Sequence, residues 1–125
     1  TKIITSGYDV NSGYQAMKTF LEDNRLEKQT AFLTANDPIA IGAMKAIHEK
    51  NLQIPNDITI VGSNDISISQ YVYPALTTVK IEKELMGKTA IDLLMERLQE
   101  GRSINKKVYI DTSLVVREST GEYNK

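Results

Sequence analysis

Thr34-Ala35-Asn36-Asp37-Pro38 leads into a helical pattern from Ile39 to Lys50, and Ile60-Val61-Gly62-Ser63-Asn64-Asp65 follows it. Twice, an apolar run of strand length ends in an Asn-Asp pair. The alternation of strand and helix around these blocks specifies an α/β fold on a mainly parallel sheet. In such a sheet the strand C-termini line one edge, and ligands bind there. Two amide–carboxyl pairs are therefore expected to face one crevice suited to a polar small molecule. They would form half of a binding site.

Working outward, Ile3-Ile4-Thr5 reads as a short strand ending at Ser6-Gly7. Asp9 is placed to cap a helix whose buried face is Tyr14, Met17, Phe20 and Leu21, fraying over residues 22–25. Residues 30–34 form an uninterrupted apolar run, the pattern of a strand buried on both faces. Asp37 is expected to cap the next helix, with Pro38 in its first turn. Ala40, Ala43, Met44 and Ile47 supply that helix's core face, and Asn51 its left-handed end. Residues 58–62 form the third strand, and 66–73 are irregular with one short helical turn. Residues 77–81 read as a further strand, and 82–99 as a long helix with Gly87, Ile91, Leu94 and Leu98 on one face. Gly101 stops it. Two more strands, 108–110 and 114–116, precede a tail over 119–125 that is expected to be mobile.

A length of 125 residues suits one domain or part of a larger one, and 41% hydrophobic with 25% charged residues is ordinary globular composition. The formal net charge of -1 leaves no basic patch for a phosphate backbone, so a nucleic-acid role would need residues outside this chain. Absence of cysteine excludes disulfides and thiolate chemistry. The longest apolar runs are strand-sized, so no membrane-spanning helix is expected. The opening Thr1-Lys2-Ile3-Ile4-Thr5 has neither an initiator Met nor a signal-peptide pattern and reads as a strand entered from upstream, so the chain is expected to be a fragment.

Each candidate side chain has a structural reading beside the functional one. Asp37 reads as a cap, which leaves the Asn36 amide to meet vicinal hydroxyls of a sugar or the edge of a base, since it both donates and accepts. Asn64 and Asp65 after Gly62 are ordinary turn chemistry or ligand contacts. Tyr8 either stacks on a sugar or flat base or covers a helix end. Met17, Met44, Met86 and Met95 read as core fillers. His48, the lone histidine, sits late in a helix where a cation favours the dipole. No metal cluster, Ser-His-Asp set, GxGxxG or phosphate loop is legible. No catalytic or cofactor role is expected.

Ser12-Gly13-Tyr14-Gln15-Ala16-Met17, Ala35-Asn36-Asp37-Pro38-Ile39-Ala40-Ile41-Gly42-Ala43, Ile54-Pro55-Asn56-Asp57-Ile58-Thr59-Ile60-Val61-Gly62, Pro74-Ala75-Leu76-Thr77-Thr78-Val79 and Val116-Arg117-Glu118-Ser119-Thr120 occur in the order and spacing of one family. Together they resemble the LacI/GalR bacterial transcriptional repressors over nearly the whole chain. The resemblance implies an effector-sensing core, a type I periplasmic-binding-protein-like parallel-sheet sandwich, of which this chain is mostly the truncated C-terminal lobe. It implies residues 1–80 as that lobe lacking its first strand and helix, 81–107 as a crossover helix of the N-terminal lobe, and 108–125 as returning strands and tail. It also implies a small carbohydrate or related polar effector, a homodimer, a cytoplasmic location, and operator DNA reached only through an N-terminal helix-turn-helix. Ligand binding would shift operator affinity, a coupling between separate sites.

The family's stacking aromatic matches Tyr8 and its ligand-binding Asn matches Asn36. Its ligand-contacting acid falls on Asn64, where an Asp is commoner, so altered ligand preference is expected and Asp65 is a candidate to share the role. Ile41, Lys45, Tyr71 and Val72 fall near the family's dimer interface, with Met44 on the sheet side. The resemblance further implies an absent strand between residues 3–5 and 30–34. Its loss is expected either to bring those two strands into direct pairing or to be filled from another chain. The alternative function is a transport-type solute-binding protein of the same fold.

Overall fold

A computed structural model describes residues 2–23 and 30–122. Its elements are α1 (Val10–Glu22), β1 (Ala31–Leu33), α2 (Asp37–Glu49), β2 (Thr59–Ser63), a 3-10 turn (Ser67–Gln70), β3 (Thr77–Lys80), α3 (Lys83–Glu100) and β4 (Ser113–Val115). The sheet order is β1-β2-β3-β4, with Phe32 of β1 opposite Ile60 and Val61 opposite Thr77, both pairings parallel. The chain divides into two compact units, one running to Lys80 and resuming at Leu114, the other Ile81–Ser113.

In the first unit, hydrophobic burial and close helix packing build the core. Met17, Phe20 and Leu21 of α1 meet Ala40, Ala43, Met44 and Ile47 of α2 over Ile58, Ile60 and Leu76. Phe20 and Phe32 meet edge to face with ring centres 5.4 Å apart. The two helices approach until their backbones touch, and glycine at the crossing is what permits it. A Cβ on Gly42 would fall 2.6 Å from the Tyr14 nitrogen, and one on Gly13 would fall 2.7 Å from the Ile39 Cα. Tyr14 adds a hydrogen bond from its hydroxyl to Glu49 Oε2 at 2.7 Å.

Several expectations hold. Asp9 caps α1, Asn51 adopts a left-handed conformation after α2, Gly101 does so after α3, and a short helical turn occupies 67–70. Others fail for one shared reason, that backbone donors and acceptors need a neighbour. Residues 3–5 lie outside any strand, Ile3 is 89% exposed, and among the described residues β1 pairs only with β2. Direct pairing therefore does not form. A groove of about 590 Å³, lined by Lys2, Ile3 and Ile4 and by Ala31, Phe32 and Leu33 of β1, lies between them instead. For the same reason β1 is an edge strand rather than one buried on both faces, with Leu33 77% exposed.

Residues 108–110 also lie outside any strand, with Val108 and Tyr109 exposed. Helix α3 forms as expected, but none of its residues is buried. Ile91, Leu94 and Leu98 on its one apolar face are exposed, as are Met86 and Met95, so of the four methionines expected as core fillers only Met17 and Met44 are buried. The expected mobile tail is anchored at its start. Ser119 is fully buried, while residues 123–125 lie outside the described residues.

Two measurements follow from this packing. Gly42→Ala forces helix backbones apart and is expected to cost about 1–3 kcal/mol of unfolding free energy, read by urea denaturation. The backbone N–H and hydroxyl of Ser12 bond the Asp9 carboxyl at 2.9 and 2.8 Å and hold its pKa below the ordinary value of 3.8. A carboxyl with a depressed folded pKa stabilises fully above its unfolded value and loses that contribution as pH falls through the folded one. Carbon-detected NMR titration should therefore show Asp9 protonating below pH 3.8, with the α1 N-terminus fraying in the same step. A midpoint at or above the ordinary value would contradict the cap.

Candidate functional site

The parallel strands β1, β2 and β3 end on one edge, and the sequence after each turns there. After β1, Asn36 has an extended backbone and is itself the cap of α2: its side-chain oxygen accepts the Ile39 N–H at 2.9 Å. Its Nδ2 donates to the Tyr8 carbonyl at 3.0 Å and so ties the segment before α1 to the same edge. Thr34 Oγ1 donates to the Asn36 carbonyl at 2.9 Å. The Tyr8 ring is free of this network and 79% exposed.

Asp37 is therefore not the cap. It is the first residue of α2 and fully buried. Its Oδ2 accepts from the Ile66 N–H at 2.8 Å and from Ser69 Oγ at 2.7 Å, and its Oδ1 accepts from Thr78 Oγ1 at 2.5 Å. One carboxyl thus gathers α2, β3 and the turn after β2. Gly62 makes this approach possible, because a Cβ there would overlap Asp37 Oδ1 and fall 2.9 Å from Leu76 Cδ2.

The turn after β2 is conformationally costly. Asn64 and Asp65 take φ of 103° and 47°, a region where non-glycine residues cost on the order of 1–3 kcal/mol each. The surroundings hold it from both sides: Asn64 N–H donates to the Val79 carbonyl at 2.8 Å, Asp65 N–H to Thr78 Oγ1 at 3.3 Å, and Asp65 Oδ1 accepts from an Arg117 NH2 at 2.8 Å.

Residues 1–120 match the sequence pattern of the family described as periplasmic binding protein-like domain. The lactose operon repressor of Rhizobium radiobacter is 44% identical over 86% of this chain and 93% of its own length. The chain belongs to the LacI/GalR family. It is also 40% identical to the transcriptional regulator GanR of Bacillus subtilis (strain 168), over 90% of this chain and 34% of that protein. A lac repressor dimer solved with operator and the anti-inducer ONPF superposes with a TM-score of 0.84 at 36% identity, covering 92% of this chain and 39% of that one. The chain thus spans about a third of the longer relatives it matches. These relatives are transcriptional regulators rather than enzymes.

In this LacI/GalR member Asn36 bonds the Tyr8 carbonyl directly, and Asp37 ties that pair to the Asn64-Asp65 turn through the Ile66 N–H. Ile41, Lys45 and Val72 line a separate depression of about 420 Å³ with Met44 and His48, while Tyr71 is exposed nearby in sequence. Sequence reasoning missed Asp37 as a hub, and with it Ser69, Thr78, Arg117 and Ser119. Paired threonines at 77 and 78, opening β3 directly after Leu76, were the available signal.

Asp37→Ala leaves three donors without their acceptor, two of them buried hydroxyls. With each unsatisfied buried group costing about 1–3 kcal/mol, the variant should lose about 3 kcal/mol or more in urea unfolding. Asp37→Asn should lose less. A loss under about 1 kcal/mol for the alanine variant would show that the hub is dispensable.

Proposed function

We propose that this chain is the effector-sensing module of a LacI/GalR-type transcriptional repressor that binds a small carbohydrate or related polar metabolite. The observation that carries the reading is the Asn64 amide on a strained turn, at the strand edge that also holds Asn36 and an exposed Tyr8 ring. Asn36, which caps α2 and bonds the Tyr8 carbonyl, keeps one amide hydrogen and one carbonyl lone pair for an effector. Amides match the mixed donor and acceptor character of sugar hydroxyls, and an aromatic face stacks on their C–H surface. In this reading Tyr8, Asn36 and Asn64 touch the effector, with Asp65 beside them.

The repressor reading is favoured over a transport-type binding protein because relatives at 40% and 44% identity are a transcriptional regulator and an operon repressor. In the intact protein, operator DNA would be bound by an N-terminal helix-turn-helix, and a homodimer would form through Ile41, Lys45, Tyr71 and Val72. Residues 1–80 would be the C-terminal lobe, 81–107 a crossover helix of the other lobe, and 108–125 the returning strands and tail. The protein would act in the cytoplasm, without catalysis or a cofactor. No helix among the described residues is long and apolar enough to cross a membrane.

Calorimetric titration of the intact regulator against a panel of mono- and disaccharides checks this. At least one sugar should bind with micromolar affinity, equivalent to about 8 kcal/mol, and Asn36→Ala should weaken it at least tenfold. Absence of binding across the panel would remove the sugar reading. Equal binding by the variant would remove Asn36 from the site.

A further inference from the structure

Arg117 lies on the segment after β4, far in sequence from the strand edge, yet it reaches the strained turn. Its backbone N–H donates to Thr77 Oγ1 at 2.8 Å, one guanidinium nitrogen donates to the Leu76 carbonyl at 2.8 Å, and another to Asp65 Oδ1 at 2.8 Å. Both side chains of the ion pair are mostly buried, at 19% and 18% exposed. Ser119 fixes the segment by bridging β2 and β3: its hydroxyl donates to the Ile60 carbonyl at 2.6 Å and accepts the Thr77 N–H at 2.8 Å. Arg117 is thus clamped at its backbone and at two separate acceptors. A planar fork serves two such acceptors at once, which an ammonium on a flexible stem does not reproduce.

The two members of the Asn64-Asp65 pair differ in what they have left to offer. The Asp65 carboxyl is engaged by Arg117, whereas the Asn64 side-chain amide makes no hydrogen bond among the described residues. We propose that Arg117 is a positioning residue: by holding Asp65 it locks the positive-φ turn that presents the Asn64 amide, rather than the Asp65 carboxylate, to the effector. The inference rests on the reading of this edge as an effector site. It deepens that reading by assigning Asp65 to the scaffold. A corner that offers a neutral amide favours uncharged polyhydroxylated effectors over cationic ones.

The test has one arm that needs no effector. In the 15N-labelled protein, the HN–Hα couplings and backbone shifts of Asn64 and Asp65 report their φ directly. Arg117→Met should shift them while leaving residues 40–47 of α2 unchanged, and Arg117→Lys should restore them partly. Asp65→Asn, which keeps the shape and the Arg117 bond to Leu76, serves if Arg117→Met does not fold, and should shift Asn64 in the same direction. Unchanged Asn64 couplings in a folded variant would overturn the proposal.

The second arm uses lactose as probe on the intact regulator. Arg117→Met should weaken it about tenfold in the wild-type background and have no further effect in an Asn64→Ala background, the signature of two residues acting through one contact. Additive losses would overturn the positioning role. Lactose binding weakened as much by Asp65→Ala in the Arg117→Met background as in the wild type would return Asp65 to direct contact and overturn it likewise. If the wild type does not bind lactose, the effector reading fails for this sugar while the couplings still decide the role of Arg117.

Discussion

The Asp37 carboxyl is the interaction on which the ligand edge depends. Burying a polar group without partners costs free energy, so its three hydrogen bonds are a condition of the fold and not an addition to it. Because the donors come from the turn after β2, the 3-10 turn and β3, satisfying one side chain places three chain segments at once. The two Asn-Asp pairs are linked through it, since Asp37 adjoins Asn36 and bonds the N–H of Ile66, the residue after Asp65. A strained turn persists in a structure only when its surroundings over-determine it, and this hub supplies one side of that restraint.

The other side comes from the end of the chain. Ser119 bridges β2 and β3, while Arg117 holds Asp65 and the Leu76 carbonyl. Thr77 and Thr120 share a hydroxyl–hydroxyl bond at 2.9 Å, and Glu118 accepts the Ala75 N–H at 3.1 Å. Polar side chains therefore stitch the segment into the sheet where periodicity shows only a short hydrophilic stretch. Charge complementarity in a partly buried site fixes geometry more than it adds stability, which fits a positioning role.

What could be read from the residues was whatever local spacing controls. The buried face of α1 at Met17, Phe20 and Leu21, that of α2 at Ala40, Ala43, Met44 and Ile47, and the Asp9 cap each follow from side chains one helical turn apart. The candidate edge residues were legible too, because in a parallel sheet position at a strand C-terminus implies position at the ligand edge. Misreadings arose where a non-local partner decides. Residues 3–5 and 108–110 have strand composition, but no neighbouring strand among the described residues satisfies their backbone. Met86 and Met95 of helix α3 read as core fillers, yet no residue of that helix is buried.

The sequence by itself determined the α/β alternation, the helix faces, the family blocks and the amide-bearing edge. Those properties depend on residues within a turn or two of one another and on the order of the elements. The tertiary structure alone decided that Asn36 caps and Asp37 is buried, that Asp65 pairs with Arg117, and that Ser119 bridges two strands. A cap signal is one residue wide and fits either member of an Asn-Asp-Pro triplet. The choice between them lies with donors from Ile66, Ser69 and Thr78, which only folding brings to Asp37.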